Sequence, residues 1–86
     1  MRIDAFLNAV NLTKRRTIAQ DMITHGAIRI GGQTVKASRE VKIGDVIEMH
    51  YLNAGGEARI HRYQVLAVPA TRTVAKTAQK DYVKEL

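Results

Sequence analysis

The stretch KRRTIAQDMITHGAIRIGG, running from Lys14 to Gly32, changes its hydrophobic period in the middle, and that change decides the fold. Ile18, Ala19, Met22 and Ile23 recur at helical spacing, and Thr13 just before the stretch is a suitable N-cap. Gly26 stands where a left-handed C′ residue ends a helix, so the pattern predicts a helix over 14–25. Beyond it Ile28 and Ile30 alternate with Ala27 and Arg29, the period of a strand. Gly31-Gly32 then supplies the positive φ values of a tight hairpin turn.

Working outward from this stretch completes an α+β plan. Upstream, Ile3, Phe6, Leu7 and Val10 form a helical stripe over 3–10, and Asp4 lies in the first turn, where a carboxylate complements the helix dipole. Downstream, Thr34-Val35 begins a return strand, 36–43 reads as a loop, and Gly44-Asp45 marks a turn. Val46 to Leu52 forms a further strand with Ile47, Met49 and Tyr51 on one face. Asn53-Ala54-Gly55-Gly56 supplies a second hairpin turn, and residues 58–63 alternate again, with 65–68 a weaker continuation that Pro69 ends. His50 and His61 are expected to face each other across this hairpin. The tail from Thr71 to Leu86 has no glycine or proline; Val74, Ala75, Ala78, Tyr82 and Val83 make an incomplete helical stripe. The expectation is two N-terminal helices on a small bent antiparallel sheet, plus a C-terminal helix.

Composition narrows the function. A chain of 86 residues is enough for one domain. It buries only roughly 60–65% of its unfolded surface, which leaves little room for a deep catalytic cleft. Cysteine is absent, so disulfides and thiolate chemistry are excluded. No apolar run approaches the ~20 residues of a membrane helix. The start Met1-Arg2-Ile3-Asp4 carries an early acid and does not read as a signal peptide, so the expected place is the cytoplasm, with no membrane association.

Charge is more telling. Lys and Arg number 14 against 8 Asp and Glu, a formal net charge of +6. Residues 1–43 hold 8 basic and 3 acidic groups, whereas 44–86 hold 6 and 5. A basic half beside a nearly neutral one suggests a charged face aimed at a polyanion. Lys14, Arg15 and Arg16 open the second helix, where cations are disfavoured by the dipole unless an anion meets them. Arg2 begins the first helix, and Lys36, Ser38, Arg39 and Lys42 cluster in the loop after the second short strand. If the helix pair packs on the hairpin, these groups form one surface for a sugar-phosphate backbone. Thr17 and Ser38 then add hydroxyl contacts. The bland alternative is a solvated basic face. The aromatics Phe6, Tyr51, Tyr63 and Tyr82 lie outside the cluster in sequence, which favours recognition of folded RNA by backbone and shape over base stacking.

Other classes fit poorly. His25, His50 and His61 match no compact ligand spacing, so no metal or cofactor is expected. No set of nucleophile, base and oxyanion donors is visible, so an enzyme is not expected. A helix-turn-helix reading is disfavoured because the second helix is basic only at its start and carries Asp21 further along.

The order of Arg2-Ile3-Asp4, Phe6-Leu7, Lys14-Arg15-Arg16-Thr17, His25-Gly26, Ile28-Arg29-Ile30-Gly31-Gly32, Val35-Lys36-Ala37-Ser38 and Gly44-Asp45 resembles the alpha-L RNA-binding motif. This is the S-four-type domain of a small-subunit ribosomal protein, pseudouridine synthases and tyrosyl-tRNA synthetases. The likeness covers about residues 1–50; Gly31 replaces the usual Asn before the turn glycine. The chain is also similar to the stand-alone heat-shock protein fifteen / RqcP family, in length and final segment most like its short members. The resemblance implies an RNA-binding domain over 1–68 with a helical extension over 69–86. It also implies a monomer that binds the large ribosomal subunit carrying a stalled peptidyl-tRNA, contacts rRNA and tRNA, and holds the tRNA in the P site. By it Arg2, Arg15 and Arg16 are the main contacts, and Lys14, Thr17, Lys36, Ser38, Arg39 and Lys42 secondary ones. A structured-RNA-binding accessory role in ribosome assembly is the alternative, and a DNA-binding or protein-interaction module is the less favoured one.

Overall fold

The computed structural model describes residues 1–71 and 73–86. The chain runs α1 (Ile3–Ala9), α2 (Arg16–Thr24), β1 (Ile28–Ile30), β2 (Gln33–Thr34), β3 (Val46–Leu52) and β4 (Ala58–Val65). A 3₁₀ turn (Lys76–Asp81) and β5 (Val83–Glu85) complete it. The five strands form one antiparallel sheet in the order β2-β1-β3-β4-β5. The expected α+β architecture is therefore present.

Both helices stop by the same device. After α2, Gly26 adopts φ 72°, its N–H bonds Ile23 O at 3.0 Å, and Ala27 N–H bonds Met22 O at 2.8 Å. After α1 the equivalent place falls to Asn11, at φ 63°, with Asn11 N–H on Asn8 O and Leu12 N–H on Leu7 O. Asparagine is the side chain that best tolerates this region after glycine. The chain between the helices stays wound onto Leu7 O as far as Thr13, so α2 starts at Arg16, two residues later than its sequence suggests. Thr13 is not its cap; the hydroxyl is buried and donates to Arg15 O. Arg15 takes the N-cap position in extended conformation with no side-chain cap.

The core lies between the helix pair and one face of the sheet. Ile3, Phe6, Leu7 and Val10 of the first stripe are fully buried, packed with Ala19, Ile23, Ile28, Val41 and Ile47. Gly31 and Gly32 both take positive φ, and Ile30 pairs with Gln33 across them, the two-residue hairpin the pair of glycines predicts.

Two expectations are corrected. The tail is not an α-helix: it forms the 3₁₀ turn and then β5, which extends the sheet along β4 in the register Tyr63↔Glu85 to Val65↔Val83. Val74 and Val83 are buried, a spacing that a turn and a strand satisfy and a single helical stripe does not. Covering the β4 edge also satisfies backbone groups that a free edge leaves open. Arg72, within the expected tail helix, lies outside the described residues. The β3–β4 loop is the second correction. Leu52 pairs with Ala58, so residues 53–57 close the hairpin, and Asn53 Oδ1 accepts from the N–H groups of Gly55 and Glu57. This pairing differs by one residue from the one that sets His50 against His61. His50 lies opposite Ile60 and His61 opposite Met49, so the two histidines occupy opposite faces.

Candidate nucleic-acid interface

The centre of the basic surface is an acid. Asp4 is completely buried in the first turn of α1, and its carboxylate accepts hydrogen bonds from Arg2, Arg16, Gln20 Nε2 and the Ala5 N–H. Arg16 Nε lies 3.2 Å from Oδ2, and Arg2 Nε 3.3 Å from Oδ1. Burial pushes the Asp4 carboxyl up, but hydrogen bonds from Gln20, Arg16 and Ala5 and the Arg16 charge outweigh it, leaving the group below its ordinary value. One carboxylate thus aligns two guanidinium groups whose side chains remain 49% and 43% exposed. The site keeps a net positive charge and open donors toward solvent. Such planar forks suit phosphate oxygens.

The loop of residues 36–42 is tied to the same place by backbone pairing. Arg2 forms an antiparallel bridge with Glu40, Ile3 N–H bonds Arg39 O at 2.8 Å, and Asp4 N–H bonds Ala37 O at 3.4 Å. Val41 N–H bonds Met1 O, and the Met1 ammonium lies 2.8 Å from Glu40. The structure therefore puts the loop that carries Lys36, Ser38 and Arg39 beside Arg2. Lys36 and Ser38 are exposed and line a shallow hollow with Arg39 next to the β1–β2 hairpin. Arg39 turns partly inward: it lies 3.8 Å from Asp45, and its second terminal nitrogen is buried without a hydrogen-bond partner. Lys42 sits past the bridge, in the turn where its N–H bonds the Asp45 carboxylate.

Lys14, Arg15 and Thr17 are exposed at the entrance to α2. Among the described residues neither Lys14 nor Arg15 has a carboxylate within ion-pair distance. Lys14 shares a hollow with Lys76 of the 3₁₀ turn, a basic residue that the sequence reading overlooked. The tail reaches this point because Asn11 Nδ2 donates to Val74 O, Val74 N–H to Ala9 O, and Gln79 Nε2 to Val10 O. Nor do the aromatics stand apart. Tyr51 and Tyr63 line a cleft that Lys14 also borders.

A family model described as the S4 domain matches residues 1–47. The chain belongs to the S4 domain family. A Helicobacter pylori protein (strain ATCC 700392 / 26695) described as an RQC P-site tRNA stabilizing factor is 43% identical over 96% of this chain and 93% of its own. A Bacillus subtilis (strain 168) protein of the same description is 43% identical over 59% of each chain. Among solved structures, the solution structure of hypothetical protein HP1423 covers all of this chain and 96% of its own, at 42% identity and TM-score 0.82. Heat Shock Protein 15 of Vibrio cholerae, solved as a trimer, has a TM-score of 0.86 over all of this chain and 81% of its own. At 22% identity it attests the S4-type fold alone. Among the described residues no helix is long and apolar enough to cross a membrane.

Proposed function

We propose that this S4-domain protein is a ribosome quality-control factor, non-enzymatic, that binds large ribosomal subunits carrying stalled peptidyl-tRNA and stabilises the P-site tRNA. The reading is supported by relatives described as RQC P-site tRNA stabilizing factors that match nearly the whole chain. It acts as a cytoplasmic monomer that contacts both rRNA and tRNA, chiefly through residues 1–68.

The observation that carries the mechanism is the Asp4 clamp. Two arginines fixed on one buried carboxylate lose little conformational freedom when they meet phosphate, so their donors are ready for a backbone of fixed shape. Arg2 and Arg16 form the rigid centre. Lys14, Arg15 and Thr17 on one side, and Lys36, Ser38, Arg39 and Lys42 on the other, extend it along the sugar-phosphate chain. Contacts of this kind position a folded RNA without reading its sequence.

The test is co-sedimentation with large subunits bearing peptidyl-tRNA. Arg15→Ala removes an exposed side chain, and Arg16→Ala one arm of the clamp; thermal melting of each variant reports its folding. Each is expected to weaken co-sedimentation, and the two together to abolish it, while the variants melt as folded proteins. A folded double variant that still sediments with the subunits would reject the site.

A further inference from the structure

We propose that the cleft between α2 and the β3–β4 hairpin receives one unpaired RNA base, stacked against Tyr51 and Tyr63. This rests on the backbone-binding reading above and adds a contact of a different chemical kind. The cleft follows from the sheet register. Ile47, Met49 and Tyr51 share a face with their cross-strand partners Tyr63, His61 and Arg59. At Ile47 this face is sealed by the helices, but by Tyr51 it has run beyond them, and that residue is 40% exposed. Ile18, 41% exposed on α2, and half-buried Met22 form the opposite wall.

The aromatic wall is held in place before any ligand arrives. His61 accepts or donates at Nε2 with the Tyr51 hydroxyl, and its Nδ1 lies 2.9 Å from Glu85 and 3.4 Å from the Tyr63 hydroxyl. The Tyr51 and His61 ring centres are 5.1 Å apart with a tilt of 42°, and those of His61 and Tyr63 6.1 Å apart at 21°. A network of this sort fixes ring orientation, which lowers the entropy cost of stacking a flat ligand.

Charge selects the ligand. Lys14 stands at the mouth of the cleft beside Arg15, and both lack a carboxylate partner among the described residues. An apolar slot with rings on one wall and cations at its rim matches a nucleotide, with the base between the walls and its phosphate outside. An apolar peptide side chain would use the walls but not the cations. The slot also continues the basic surface at Lys14, so an RNA backbone held by Arg15 and Arg16 passes its entrance.

A single-stranded adenosine pentamer and an abasic backbone of the same length and charge provide the test. NMR titration should shift the Tyr51, His61 and Tyr63 ring signals and the Ile18 and Met22 methyls with the adenosine pentamer only. The pentamer should bind about 5- to 150-fold more tightly than the abasic strand. Tyr51→Leu should abolish that preference, and Tyr51→Phe should retain it. Equal binding of the two strands, or ring shifts produced by the abasic strand alone, overturns the proposal. Arg15→Ala separates the two readings. It should weaken both strands alike; if the base preference persists with no loss of affinity, the backbone reading fails and the cleft stands. Cleft shifts from an apolar peptide with none from the pentamer would assign the slot to a protein partner and overturn the RNA assignment.

Discussion

Two regions of the same basic surface are built in opposite ways. At the start of α1, Arg2 and Arg16 are clamped on buried Asp4, within a lattice that also takes in Gln20 and the 37–41 backbone. Immediately before Arg16, at the entrance to α2, Lys14 and Arg15 stand in solvent on an uncapped turn. The first region gives up part of its charge to gain geometry. The second keeps full charge and mobile side chains. A rigid pair specifies the shape of the RNA it fits, whereas free cations add affinity to any polyanion and are screened by salt.

Asp4 offers the strongest way to break this contrast. Asp4→Ala removes the carboxylate that orders both guanidinium groups and leaves Gln20 without its acceptor. A destabilisation of about 2–3 kcal/mol is expected, below that of a fully buried pair because both arginines are half exposed. Large-subunit binding should fall with it, although a negative charge has been removed from a surface that binds a polyanion. Denaturant unfolding and co-sedimentation measure the two effects, and improved binding would show that Asp4 opposes RNA rather than organising its partners. Acid provides a second handle on the same group. Because the folded protein holds the Asp4 carboxyl below its ordinary 3.8, its contribution is present above that value and disappears as pH falls through the folded one. The stability gap between the native chain and Asp4→Asn should therefore be full at neutral pH and narrow below pH 4. A gap independent of pH would mean that the clamp works by shape rather than charge.

How far this contrast is legible in the sequence depends on the range of each interaction. Gly26, the Gly31-Gly32 turn and the strand from Val46 to Leu52 follow local rules, and each appears where its residues predict. Asp4 has the right residue type for a helix N-terminus, but its larger role needs Arg16 and Gln20, which helix packing alone brings near. Asn11 is a helix stop joined to Val74, a contact between residues far apart in the chain that no local pattern announces. The β3–β4 loop has the widest consequence. A register one residue away from the His50–His61 pairing puts His61 on the face of Tyr63 and Met49, and so assembles the cleft beside Lys14. The tail misled for a similar reason, since its incomplete stripe looks helical until an unpaired β4 edge is available to it.

Arg15 sharpens the comparison at intermediate size. Arg15→Glu should leave melting unchanged, because the side chain is exposed and makes no ion pair among the described residues, yet reduce binding about tenfold at moderate salt, a shift of about 1.4 kcal/mol. Its effect should shrink as salt rises, whereas that of Asp4→Ala should persist. Binding isotherms at several salt concentrations distinguish them; parallel losses would erase the difference between a clamped and a free cation.

Lys76 gives the smallest expected effect and asks whether the tail belongs to the free-cation region. It reaches Lys14 because Asn11, Gln79 and Val74 fasten the tail to the end of α1. If its ammonium meets phosphate, Lys76→Gln should lower the slope of log affinity against log salt by about one unit, the loss of one released counterion. Stability should not change, since the side chain is exposed and the fastening runs through other residues. An unaltered slope would confine RNA contact to the helices and the loop after β2, leaving the tail to close the sheet.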